Sequence, residues 1–136
     1  ELGESDSPAW RVTIYPYVEN HTAEYVGTWW DINSQRCSME ISSDDGISYN
    51  IDINWASSAY DNTHWFFAGT YDDVTGGIHY YGSRVEEYYP DGGDVQETYV
   101  YSDGEGIIRI GDDGMLYWDD YIEQQGKDCS FEKSEY

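Results

Sequence analysis

The stretch Ser48-Tyr49-Asn50-Ile51-Asp52-Ile53-Asn54-Trp55 places apolar and aromatic side chains at every second position. A period of two fits a strand whose one face is buried. Tyr49, Ile51, Ile53 and Trp55 form the inward set, and Ser48, Asn50, Asp52 and Asn54 the outward one. The same alternation runs through Cys37, Met39 and Ile41 upstream and through Trp65, Phe67, Gly69 and Tyr71 downstream. Between such runs lie Asp44-Asp45-Gly46, Asp72 to Gly77, Asp91-Gly92-Gly93-Asp94, Asp103-Gly104 and Asp112-Asp113-Gly114. Asp-Gly suits tight hairpins because glycine takes a positive φ freely and aspartate tolerates it.

Working outward from this pattern gives strands near 24–30, 35–42, 47–56, 64–72, 77–89, 95–102, 106–111, 115–120 and 129–133. The fold class is therefore all-β, an antiparallel up-and-down meander of about eight strands. An open meander leaves two edges that invite aggregation, and closure into a barrel removes them. A β-sandwich is the alternative, but it needs Greek-key crossovers with longer connections. Residues 1–8 are polar and read as a tether, leaving 9–136 as a single barrel domain. The segment from Trp10 to Val18 has β-branched residues, but Pro16 limits it to an edge strand or a plug.

A chain of 136 residues with 28 acidic and 6 basic side chains carries a net charge of −22. That field repels nucleic-acid phosphates and anionic membranes, so neither is an expected partner. A cationic protein is a compatible one. Fifteen tyrosines and six tryptophans separate the chain from disordered acidic tails, which lack the apolar surface to fold. No apolar run approaches the roughly 20 residues that span a bilayer.

Cys37 and Cys129 stand outside any Cys-x-x-Cys pair, so zinc and redox motifs are unsupported. A Cys37–Cys129 disulfide would close a long loop and contribute roughly 4 kcal/mol. It would tie the second strand to the last and close the barrel. Two unrelated buried thiols are the other reading. With low lysine content and abundant tyrosine, the bridge points to a secreted or cell-surface protein, with a lipid anchor as one form of attachment.

Val26-Gly27-Thr28-Trp29-Trp30 resembles the Gly-x-Trp opening of the first strand in lipocalins and avidins. Ile53-Asn54-Trp55 and Trp65 to Tyr71, with Gly69 between, are similar to the Trp- and Gly-marked strands of avidin-type meanders. The resemblance implies an up-and-down barrel with a ligand cavity at one mouth. It carries over no ligand: the polar residues that hold biotin do not align. The whole chain also resembles small secreted or lipid-anchored β domains of Gram-positive bacteria.

Chemistry-bearing constellations are sparse. The turns at Asp72-Asp73 and Asp112-Asp113 offer oxygens to calcium, but neither has EF-hand spacing, and turn geometry already accounts for their residues. His64 and His79 fall on neighbouring strands without a nucleophile, and His21 stands apart from both. Glu86-Glu87 and Asp119-Asp120 are adjacent in sequence, so on a strand each pair points to opposite faces. No metal, cofactor or catalytic residue is expected, and the chain does not read as an enzyme.

Aromatic doublets are more informative. Trp29-Trp30, Trp65-Phe66-Phe67, Tyr80-Tyr81 and Tyr88-Tyr89 must send one ring inward and its neighbour outward. Exposed Tyr and Trp mark contact surfaces, although cross-strand ladders also stabilise sheets. Trp30, Trp55, Trp65, Tyr81 and Trp118 are the expected ligand contacts of a non-catalytic extracellular binding or protein-interaction module. A small molecule, glycan, peptide or protein would suit such a surface. The alternative is an acidic inhibitor of a basic lysozyme-like enzyme. Gly46-Ile47-Ser48-Tyr49 resembles the Ser-Gly-x-x-Tyr motif of such inhibitors, with Asp45 where they have serine.

Overall fold

The inward set Tyr49, Ile51 and Ile53 is buried along β3 (Ser48–Ala56), and its neighbours take the same inward–outward alternation. In the computed structural model, which describes residues 21–91 and 93–134, β3 pairs with β2 (Cys37–Ser42) on one side. Its other neighbour is β4 (Asp61–Asp72). The tether at 1–8 and the extended stretch at 10–18 lie outside the described residues. The register sets Met39 beside Ile53, Ile53 beside Trp65 and Ile51 beside Phe67, so the inward residues share layers.

The chain continues through β5 (Gly77–Tyr88), β6 (Gln96–Ile110), β7 (Leu116–Asp120) and β8 (Phe131–Lys133). The first strand, β1 (Gly27–Asp31), pairs with both β2 and β8, so the eight antiparallel strands form a closed meander barrel. Eight strands enclose an interior just wide enough for side chains to fill. Here it is filled by rings. Trp65 meets Trp118 edge-on at 4.9 Å, Phe67 stacks on Tyr80 at 3.9 Å, and the Trp118 indole donates to the Tyr80 hydroxyl at 2.7 Å.

Two segments differ from the expected strands. Residues 22–25 form a helical turn, α1 (Thr22–Tyr25), where extended structure was expected from 24. The Trp29 indole donates to the Tyr25 carbonyl at 2.9 Å, so the first inward Trp is fastened under this turn. Strands 95–102 and 106–111 are one strand, and Asp103-Gly104 is not a hairpin. Pairing with β5 shifts register between Gly82 and Arg84 and again between Arg84 and Val85. Such bulges bend a long strand without ending it. Gly104 lacks the positive φ found at the true turn glycines Gly46 and Gly114. Its place is set by close approach, since a Cβ there would lie 2.4 Å from the Tyr101 ring.

The expected Cys37–Cys129 disulfide is absent, and both cysteines are free, buried thiols. They do lie side by side: the Cys129 thiol beside Cys37, followed by burial, pushes the Cys37 thiol far up, which keeps it protonated. Closure is carried by other bonds. Asp31, buried at the end of β1, accepts backbone N–H groups from Ser130 at 3.0 Å, Asn33 at 3.2 Å and Ser34 at 2.9 Å. The Ile32 N–H donates to the Ser130 carbonyl at 2.9 Å and the Ser134 N–H to the Thr28 carbonyl at 2.7 Å. A staple has little left to join.

Candidate functional site

The five expected contact residues divide between the inside and the outside of the barrel. Trp65 and Trp118 are 1% and 2% exposed and belong to the core. Trp55 is half-buried, its ring 6.5 Å from Trp65. Trp30 and Tyr81, 49% and 56% exposed, face outward from β1 and β5, on opposite sides of the barrel. No single surface gathers all five.

Each barrel end is closed by a different device. At the Thr63 end, Arg84 points inward with its guanidinium 5.5 Å from the Trp65 ring centre. It bonds Glu86 at 2.7 Å and also Glu123, and the Thr63 hydroxyl donates to Glu86 at 3.1 Å. This charged lid covers the aromatic interior. At the Tyr71 end a cleft of about 230 Å³ is lined by His21, Glu24, Tyr25, Tyr71, Gly76, Ile110 and Gly111. Its His21 ring stacks on Tyr71 at 3.6 Å and contacts Glu24 at 2.6 Å, while the Tyr25 hydroxyl accepts the Ile110 N–H at 3.3 Å. Burial pushes the Tyr25 phenol up to about 12. The cleft falls below the usual range of about 300–1,000 Å³ for small-molecule pockets.

His64 and His79 do not share a site. His64 pairs across β4–β5 with Val85, and His79 pairs with Thr70, six residues further along β4. His64 lies 3.6 Å from Asp52 and 3.5 Å from Glu87. Burial pushes the Glu87 carboxyl up, but bonds from Asn62 and Tyr89 and the nearby His64 outweigh it and hold Glu87 low. The turn carboxylates are likewise spent on local backbone: Asp72 accepts the Val74 N–H and Asp113 the Met115 N–H, each at 2.9 Å. Among the described residues no group of three or more His, Cys, Asp or Glu side chains could hold a metal. No helix there is long and apolar enough to cross a membrane.

The outer wall at Tyr81 has the most developed geometry. Tyr81 sits opposite Ala68 on β4 and Glu105 on β6, and His79 opposite Thr70 and Ile107. Ala68 and Thr70 are small and leave the rings uncovered. The His79 ring lies 4.9 Å from Tyr81, tilted by 54°, and 6.5 Å from Tyr121, tilted by 40°. Its Nε2 contacts the Glu105 carboxylate at 2.7 Å. Tyr121 follows β7 and is 50% exposed, and its N–H donates to the Glu105 carbonyl at 3.0 Å. Asp119 on β7, beside Ile107, adds a second exposed carboxylate. Two exposed tyrosines thus lie across Glu105 from one another, with His79 and Asp119 in the next row of the sheet. Tyr81 was legible in the sequence, but Tyr121 and Glu105 were not: Tyr121 lies in a turn, and Glu105 sits next to the bulged part of β6.

This geometry defines a class: an eight-stranded up-and-down barrel with a ring-filled interior and an aromatic, acidic outer wall. Comparison with known proteins adds no relative, since no family model, curated protein or solved structure matches the chain.

Proposed function

We propose that this domain is a non-catalytic binding module that meets its ligand on the outer wall of β5 and β6. The observation that carries the reading is the exposure of Tyr81 and Tyr121 beside His79 and Glu105, while Trp65 and Trp118 fill the interior. Large rings with few rotatable bonds give contact area at little entropy cost. Tyr81 is carried by β5, and the Tyr121 N–H bond to the Glu105 carbonyl ties its turn to β6. Trp30 would then serve a separate contact or none, and Trp65, Trp118 and Trp55 would support the wall from within. Glycans and peptides are the ligand classes that suit this surface. We place the module outside the cell on composition alone, since unbonded thiols lend that placement nothing.

Glycan and peptide arrays test the proposal, with wild type compared against a Tyr81→Ala/Tyr121→Ala double variant. Binders above background that the double variant loses support it, and a blank array or unchanged binders overturn it. Capture of a basic lysozyme-like enzyme is a second reading, favoured by the net charge of −22, which would steer a cationic partner. The loop it would need is otherwise engaged: the Asp45 carboxylate accepts the N–H groups of Ile47 and Ser48, both at 2.8 Å. Full lysozyme activity in the presence of excess domain removes this reading.

A further inference from the structure

Tyr81, His79 and Tyr121 gather three rings beside a carboxylate on one outer wall, a combination suited to one kind of ligand. Glu105 sits opposite Tyr81 and bonds through its carbonyl to the Tyr121 N–H, so it lies between the two tyrosines, and the His79 ring is 4.9 Å from Tyr81 and 6.5 Å from Tyr121. Tyr81 and Tyr121 are each about half exposed, so their rings are open to a compact group that settles beside them. The ring face carries the negative end of the aromatic quadrupole, and a cation within about 6 Å of the centroid is attracted to it.

The surrounding charge has the matching sign. Glu105 touches His79 at 2.7 Å and Asp119 lies on the adjoining strand. The nearest cation along β6 is Arg109, four residues from Glu105 and paired with Tyr117. The whole chain carries −22. A small inorganic cation is hydrated too strongly to use ring faces. A quaternary ammonium is weakly hydrated, cannot donate hydrogen bonds, and gains from rings and carboxylate together.

We propose that the Tyr81–His79–Tyr121 ring cluster, with Glu105 between the two tyrosines, binds a quaternary ammonium group. This rests on the reading of the outer wall as the binding surface and names the ligand chemistry there. The group could reach these rings as free choline or as the headgroup of a phosphatidylcholine surface.

The test is titration of the folded domain with tetramethylammonium chloride, followed by aromatic and amide NMR shifts, with sodium chloride as the matched control. The expected result is a saturable shift at His79, Tyr81 and Tyr121 that sodium does not produce. Tyr81→Ala and Tyr121→Ala should each weaken binding about two- to five-fold, as expected for exposed cation–π contacts. Tyr81→Phe, which keeps the ring face, should bind as wild type does, and Glu105→Gln should weaken binding. These are surface positions, and unchanged melting curves will show that each variant folds.

Absence of a saturable shift, an equal response to sodium, or wild-type affinity in Tyr81→Ala overturns the proposal. Sedimentation with phosphatidylcholine but not phosphatidylglycerol vesicles assigns the group to a lipid headgroup. Binding of free choline without sedimentation assigns it to a soluble ligand. Loss of ammonium binding alongside array binders that still depend on Tyr81 and Tyr121 sinks this inference and leaves the binding-module reading intact.

Discussion

Replacing Asp31 should open the barrel at its closing seam. The carboxylate is buried and accepts three backbone N–H groups, from Asn33, Ser34 and Ser130. Hydrogen bonds to a charged group contribute about 1.5–3 kcal/mol each, but water can replace the bond at exposed Asn33 and part of that at half-exposed Ser34 and Ser130. With that discount, Asp31→Ala should cost about 3 kcal/mol, or roughly 10 °C in melting temperature. Asp31→Asn keeps one oxygen for Asn33 and Ser130 but turns an NH2 toward the Ser34 N–H, and should cost about 1–3 kcal/mol.

The pH dependence supplies a second, independent check. Burial alone would raise the Asp31 pKa, but the bonds from Ser34, Ser130 and Asn33 outweigh it and hold the carboxyl below its ordinary 3.8. A depressed folded value means the stabilisation is complete above the unfolded value near pH 4 and is lost as pH falls through the folded one. Urea denaturation at pH 7 and at pH 2–3 should therefore show a gap between wild type and Asp31→Asn that shrinks in acid. A gap that stays constant with pH, or an Asp31→Ala variant within about 0.5 kcal/mol of wild type, would refute this role.

Other expectations concern the interior and the thiols. Tyr80→Phe strands the buried Trp118 indole N–H and should cost about 1–3 kcal/mol, whereas Tyr81→Phe on the outer face should stay within about 0.5 kcal/mol in the same urea titration. Gly82→Ala forces a Cβ to within 2.0 Å of the Phe66 carbonyl and should destabilise by about 2 kcal/mol or more; an unchanged melting curve would mean that β4 and β5 are further apart at this point. Ellman's reagent should react with neither cysteine in the native protein and with both in denaturant without reductant, and no thiol released on unfolding would contradict the free pair.

Most of the strand pattern was legible because the inward residues alternate strictly. Tyr49, Ile51 and Ile53 are buried as their spacing requires, and in Trp29-Trp30 and Tyr80-Tyr81 one ring is buried and the next exposed. The rule fails at Tyr88-Tyr89, both exposed, because Tyr89 lies beyond the end of β5. Local turn chemistry misled at Asp103-Gly104, where long-range pairing with β5 keeps the chain extended through two bulges. The cysteines were brought together by β1–β8 closure, which composition cannot reveal, and they meet as thiols. At the outer wall, Tyr81 followed from its doublet. Tyr121 and Glu105 needed the three-dimensional register of β5, β6 and the turn after β7.

The most direct test of where this barrel binds is NMR mapping of the strongest array binder on the isotope-labelled domain. Outer-wall binding predicts shifts at His79, Tyr81, Glu105 and Tyr121, with the indole signals of Trp65 and Trp118 unmoved. Large shifts at those two indoles, with Tyr81 and Tyr121 silent, would place the ligand inside the barrel and contradict an outer binding wall.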